Sequence, residues 1–198
     1  MKAVVWSDYL CPWCYLGLDR TDRMLALGIE SVTTLPYELH PNIPADGVTI
    51  SPRRYESMRP LFDEAELPFV APERIPNTHR VLAAAEAVRR RWPDAFPAVE
   101  RALFTAHFAE GRYLGDPDVV DDIVSACGAD ASTVRAAVDA RELEPALREA
   151  RQAAYDASVT GTPAWRFDNG FVLPGAQPRE TVDRIVGRLL EREATADL

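Results

Sequence analysis

The stretch Ala3-Val4-Val5-Trp6-Ser7-Asp8-Tyr9-Leu10-Cys11-Pro12-Trp13-Cys14-Tyr15-Leu16-Gly17 decides how this chain is read. Ala3 to Ser7 is a short strand-like run, and Tyr15 to Leu27 is helix-like. Cys11 and Cys14 therefore stand at a strand-to-helix junction. The first turn of a helix has free N–H groups and a partial positive charge, which stabilise a thiolate. Cys14, one turn further in, shares a face with Cys11 and can attack a mixed disulfide formed there. Pro12 suits the first helical turn, where its missing N–H costs nothing. Cys11 is expected to be the nucleophile, with its sulfur exposed and its pKa below that of a free thiol. Cys14 is expected to be more shielded. Zinc sites use the same spacing but need four ligands. The other candidates, Cys127, His40, His79 and His107, are scattered, so no metal is expected.

A second signal lies far downstream. Gly161-Thr162-Pro163 is followed by Ala164-Trp165-Arg166-Phe167, a loop leading into a strand. Thioredoxin folds place a cis-proline there, opposite the CxxC, and X-Pro is the bond at which cis is cheap. A cis Thr162–Pro163 bond is therefore expected, with the Thr162 backbone free to pair with an extended peptide. Asp168-Asn169-Gly170 turns the chain into a further strand at Phe171-Val172-Leu173. A last helix opens at Gln177-Pro178-Arg179, with Val182, Ile185, Val186, Leu189 and Leu190 at helical spacing. The polar tail from Glu191 is expected to fray.

These segments resemble the DsbA family of oxidoreductases, and specifically its cytoplasmic FrnE-like branch. The resemblance is carried by residues 7–17, Tyr37-Glu38-Leu39-His40-Pro41, Leu103-Phe104, Phe108-Ala109-Glu110-Gly111-Arg112, Gly115-Asp116, Gly161-Thr162-Pro163 and Gly175-Ala176-Gln177-Pro178. It implies an α/β thioredoxin fold with an inserted all-helical lid. It also implies dithiol/disulfide exchange at Cys11 and Cys14, with Trp13, Thr162 and Pro163 binding substrate. Trp165 stands where an aliphatic residue is more usual, a departure expected to bear on substrate fit. Residues 1–50 and 157–198 would form the thioredoxin-like part and 51–156 the helical insertion. That insertion should cap the active site and leave an apolar groove beside Trp13 and Pro163. The alternatives are a glutathione-dependent isomerase or transferase, of the 2-hydroxychromene-2-carboxylate or kappa-class type, and a non-catalytic chaperone or binding module. The glutathione-dependent proteins carry Ser in place of Cys11 and lack Cys14, so the cysteine pair favours exchange.

Bulk properties agree. The chain has 198 residues, enough for one core, and a net charge of −9, which argues against nucleic acid or an anionic membrane as partner. There is no membrane-spanning run, and strand and motif follow Met1-Lys2 at once, so the expected location is the cytoplasm. The expected partners are protein or small-molecule disulfides and thiols, with a homodimer left open. No resident cofactor is expected; glutathione would enter only as a redox partner.

Between the two signals, the residues predict a strand over 32–39, a Pro-rich loop over 40–51, and a run of helices. Ser51-Pro52 opens the first of these, which Pro60 kinks or divides. Asn77 or Thr78 caps the next, Asp94 precedes another, and Asp116-Pro117 opens a fourth, ended by Gly128. Trp13 is read as an exposed indole beside Cys11. Cys127 is read as a small apolar helix residue, and His79 and His107 as structural. Glu38 is weighed evenly between a proton relay to Cys14 and a plain strand residue. Gln177 is read as a helix cap ahead of a carboxylate holder.

Overall fold

The structure is a computed structural model that describes residues 1–196. Strand β1 (Lys2–Ser7) lies at the centre of a four-stranded sheet. Its alternating side chains serve two faces, as strand geometry requires. Ala3 and Val5 pack toward helix α1 (Pro12–Ala26), and Trp6 packs on the opposite face with Ala154. Strand β2 (Ser31–Pro36) runs parallel to β1, while β5 (Ala164–Phe167) is antiparallel to it. Strand β6 (Val172–Pro174) completes the order β2-β1-β5-β6. Gly28, at φ 114°, ends α1 in a conformation open to glycine without penalty.

The insertion begins with strand β3 (Val48–Thr49) and a 3₁₀ helix, Pro52–Met58, which passes into α2 (Arg59–Glu64) at Pro60. Strand β4 (Arg74–Ile75) pairs with β3, so residues 51–156 are not all helical. Two-residue strands carry no readable alternation, which is why this ribbon has no sequence signal. Helices α3 (His79–Arg91), α4 (Phe96–Phe108), α5 (Pro117–Ala126), α6 (Ala131–Asp139) and α7 (Glu144–Asp156) follow. The Asn77 side chain accepts the His79 N–H and Asp116 accepts the Asp118 N–H, as cap residues do. Asp94 does not cap α4, which starts after Ala95 with no side-chain partner.

One core joins the insertion to α1. Tyr15 stacks on Phe62, Phe104 and Phe108, and Tyr9 packs on Phe104. Cys11 and Cys14 are part of this cluster. The other side of α1 rests on the sheet and on α8 (Arg179–Ala196), where Val182, Val186 and Leu189 are buried. Ion pairs Arg23–Asp183 and Asp19–Arg179 fasten α1 to α8. Helix α8 continues through the polar tail to Ala196, contrary to the expected fraying from Glu191. The Met1 ammonium pairs with Glu193 at 3.1 Å and holds that end; the last two residues lie outside the described residues.

Candidate active site

Cys11 occupies the N-cap of α1 and Pro12 its first turn, with no acidic residue there to oppose a thiolate. Both cysteines are free thiols. The Cys11 thiol is held below its usual value chiefly by the Cys14 thiol, with further help from the Thr162 side chain and the Cys14 and Trp13 N–H groups. Burial opposes this. Cys14 is pushed well above the usual thiol value, first by burial and then by the neighbouring Cys11 sulfur. The two sulfurs of one helical turn are thus tuned in opposite directions.

The expectation of an exposed Cys11 sulfur is not met. Cys11 and Cys14 are each only 3% exposed, while Trp13 between them is 40% exposed, as its sequence reading requires. Cys11 sits instead at the floor of a cleft of about 710 Å³. Leu10 and Trp13 form one side. The segment Leu39 to Pro44 and the 3₁₀ residues Arg54, Tyr55 and Met58 form the other. The cleft is therefore walled by a Pro-rich loop, the 3₁₀ helix and the β3–β4 ribbon residues Val48 and Ile75 rather than by the long helices of the insertion. Those helices pack behind α1, because their aromatic stripe needs the Tyr9–Tyr15 face.

The Thr162–Pro163 peptide is cis, as predicted. The Thr162 carbonyl accepts the Cys11 thiol at 3.5 Å. The buried Thr162 hydroxyl has no partner at ordinary hydrogen-bond geometry, and its side chain favours the charged form of both thiols. Pro163 is not in the front cleft. It lines a second pocket of about 160 Å³ on the other side of α1, together with Cys14, Ser7, Thr34, Glu100 and Trp165. Gly17 borders the same place, where a Cβ would lie in contact, at 3.4 Å, with both Pro163 Cγ and the Trp165 ring. Trp165 is wholly buried, with its indole N–H on Thr21 Oγ1 at 3.1 Å, so it supports α1 and does not reach the front cleft.

Two carboxylates that the sequence did not single out border the dithiol. Asp8 is fully buried, and its own N–H donates to Cys14 Sγ at 3.5 Å. Burial pushes its pKa up to about 6 against the Leu39 N–H, the Thr78 side chain and the Leu10 N–H, with Glu38 adding to the rise. Glu100, from α4, shares the rear pocket with Cys14, and burial pushes it up to about 7. An acid three residues before the first cysteine of a CxxC, and a Glu amid the apolar Phe96, Val99 and Leu103, were the available signals.

Glu38 lies beyond the end of β2, which stops at Pro36, and its carboxylate bonds His79 Nδ1 at 3.1 Å. His79 Nε2 bonds Glu144 at 2.7 Å, so this histidine clips three segments together. His107 is fully buried, with its pKa lowered to about 4 by desolvation. Gln177 spends its side-chain N–H on the Pro174 carbonyl at 2.6 Å, which leaves that donor occupied. Cys127 is half-buried at the end of α5, with its thiol raised by burial.

The chain matches the DSBA-like thioredoxin domain over residues 3–187. Its fold is similar to that of a probable DsbA oxidoreductase from Streptomyces coelicolor, at 23% identity and a TM-score of 0.85, covering 95% of this chain and 89% of that one. It is similar to 2-hydroxychromene-2-carboxylate isomerase, at 19% identity and a TM-score of 0.79, covering 99% of both chains. It is also similar to the cytosolic disulfide reductase DsbM of Pseudomonas aeruginosa, solved with GSH, at 16% identity and a TM-score of 0.74, covering 96% and 100%. At these identities the structural likenesses establish the fold alone. The domain match runs from the first strand into the last helix, and on that span the chain belongs to the family of DSBA-like thioredoxin domains.

Proposed function

We propose that this protein is a thiol–disulfide oxidoreductase that exchanges electrons through Cys11 and Cys14. The observation that carries the reading is the opposite tuning of the two thiols within one helical turn. The Cys11 thiolate attacks one sulfur of a substrate disulfide. A Cys11–substrate bond forms, the substrate S–S bond breaks, and the leaving thiolate takes up a proton. Cys14 then loses its proton and attacks the Cys11 sulfur. The Cys11–Cys14 disulfide forms, the reduced substrate departs, and two electrons have passed from protein to substrate. The reverse sequence oxidises a substrate dithiol. Glu100, with a carboxyl near 7 in the pocket that Cys14 lines, is suited to accept the Cys14 proton. Trp13 and the wall Leu39 to Pro44, with Leu39, Pro41, Ile43 and Pro44 as its apolar members, would bind the chain beside the disulfide, with the Thr162 backbone as a pairing edge. Disulfide isomerisation shares the first step on a misbridged protein; a second substrate thiolate, in place of Cys14, then attacks the mixed disulfide, forms the new substrate bridge and returns the Cys11 thiolate, with no net transfer of electrons.

A glutathione-dependent isomerase of the same fold needs one activated group. A second thiol with its own pocket and its own acid is surplus to that chemistry, which favours exchange. Glutathione then serves as the redox partner that resets the dithiol, and Arg54 and His40 are the basic groups of the cleft able to meet its carboxylates. The similar disulfide reductase DsbM is cytosolic, which is compatible with a cytoplasmic setting for this chain, where such a disulfide is catalytic.

The test is insulin reduction against oxidised glutathione, at equal thiol concentration, for the native chain, Cys11→Ser and Trp13→Ala. Cys11→Ser is expected to lose at least about a thousandfold, the scale on which removing a nucleophile acts. Insulin is expected to be the faster substrate, with Trp13→Ala slowing insulin and sparing glutathione. Activity surviving in Cys11→Ser would dismiss exchange. Glutathione reacting faster, with Trp13→Ala silent on both, would put the glutathione-dependent reading first.

A further inference from the structure

The polar atoms of Asp8 are all spent on the dithiol or on the cleft that leads to it. Its carbonyl accepts the Cys11 N–H at 3.0 Å, and its N–H donates to Cys14 Sγ at 3.5 Å. One carboxylate oxygen takes the Leu39 N–H at 2.7 Å, and the other lies 3.5 Å from the Leu10 N–H. Leu10, in the cysteine loop, and Leu39, in the segment after β2, both line the front cleft. A buried carboxylate is costly to keep, and an apolar residue would fill the position more cheaply. The geometry points to Asp8 as a positioning residue: its carboxylate ties the cysteine loop to the far wall and sets the width at which a substrate disulfide meets Cys11.

The far wall needs such a tie. The segment leaving β2 is held by the Tyr37 N–H on the Ser7 carbonyl at 2.9 Å and by Glu38 on His79 at 3.1 Å. Past Leu39 the chain turns on itself, with the Ile43 N–H on His40 and the Gly47 N–H on Pro44. The Asn77 side chain holds the Ile43 carbonyl at 2.7 Å, which anchors the wall to the insertion. Among these bonds, only the Asp8 carboxylate joins the wall to the loop that carries Cys11. A wide substrate, a folded or unfolded polypeptide, depends on the wall's placement. A small disulfide reaching the floor does not.

The groups facing Asp8 are Glu38 beyond β2, the Thr78 side chain before α3, Tyr9 beside it in the chain and Cys14 from α1. His79 acts on it through Glu38. Protonation of Asp8 removes an acceptor and loosens the tie. The rate for a wide substrate should therefore fall, relative to a small one, as pH drops through about 6.

The inference rests on the exchange reading, and the experiment separates the two. Second-order rates of the native chain, Asp8→Asn and Asp8→Ala are measured with insulin and with hydroxyethyl disulfide from pH 5 to 8. Melting temperature and Cys11–Cys14 reduction potential are measured alongside. Asp8→Ala should lower the insulin rate at least about tenfold more than the small-disulfide rate, since displacing reacting groups by an ångström can cost more than that. Asp8→Asn keeps one carbonyl acceptor and should recover most of the loss. Its insulin-to-small-disulfide ratio should be flat through pH 6, whereas the native ratio falls. Should Asp8→Ala not fold, the flattened ratio of Asp8→Asn decides. Equal changes in both rates, or a lower melting temperature with an unchanged ratio, would overturn the positioning role. A native chain that exchanges neither disulfide would instead reject the exchange reading itself.

Discussion

The two sides of the first turn of α1 make an instructive pair. In front, Cys11 meets a cleft of about 710 Å³ with an exposed indole, a Pro-rich wall and no acidic lining residue. Behind, Cys14 meets a pocket of about 160 Å³ edged by Glu100, Asp22 and Arg101. The two residues are equally buried as wholes, at 3% exposure each, so residue exposure does not tell them apart. Their partners do. Cys11 gathers donors, from the Cys14 thiol to the Trp13 N–H, and its charged form is favoured. Cys14 is desolvated beside a thiolate, and its neutral form is favoured. The helix start is common to both; at Cys11 the bond from the Cys14 thiol outweighs burial, whereas at Cys14 burial dominates and the Cys11 sulfur adds to it.

The largest expected break of this asymmetry is Cys14→Ser. Turnover should fall by about a thousandfold or more, the scale of losing a covalent participant, while the first attack on substrate persists. Mixed disulfides at Cys11 should accumulate and be visible by mass spectrometry; an absence of trapped adducts would show that Cys14 does not resolve them. Alkylation of the native chain at neutral pH should label Cys11 before Cys14 and Cys127.

Glu100→Gln sharpens the rear half of the comparison. It should slow release of the mixed disulfide by about tenfold to a hundredfold at pH 7.5, the lower range of general-base effects. The first attack should be unchanged, because Cys11 faces the other cavity. The native release step should rise through pH 7, where Glu100 ionises, and the variant should lack that rise. A release rate with the same pH profile in both proteins would remove Glu100 from the scheme.

The smallest effect concerns the clip behind the front wall. Burial alone would lower the His79 pKa, but bonds to Glu144 and Glu38 raise it above 6.5. A raised histidine stabilises the folded state fully below its unfolded value near 6.5, and the gain is lost as pH climbs through the higher folded value. His79→Gln should therefore lose less than about 1 kcal/mol relative to the native chain at pH 5.5, because the imidazole is half-exposed and solvent-screened. The difference should vanish by pH 9. Urea melts at the two pH values measure it, and a difference that grows with pH would contradict the assignment.

The linear pattern settled more than the cysteine pair. A CxxC between an apolar strand and a helix, together with Gly-Thr-Pro before a second strand, determined the fold, the helix that carries both thiols and the cis bond facing them. These features are legible because each depends on residues adjacent in the chain: cap chemistry, strand alternation, the proline itself. The helices of the insertion were legible for the same reason, through Asn77, Asp116 and the spacing of apolar residues. Tertiary structure alone decided which cavity each sulfur faces, that Pro163 lines the rear pocket rather than the front cleft, and that a loop walls that cleft. It also exchanged Glu38 for Asp8 and Glu100 as the acids beside the dithiol. Glu38 is turned to His79 because β2 ends at Pro36, three residues earlier than the sequence reading of 32–39. Asp8 and Glu100 acquire their raised pKa values chiefly from burial, with Glu38 and Asp22 adding to the rise, and both causes arise only on folding. Local order writes elements into a sequence, whereas desolvation and charge proximity are properties of packing and exist only once the chain has folded.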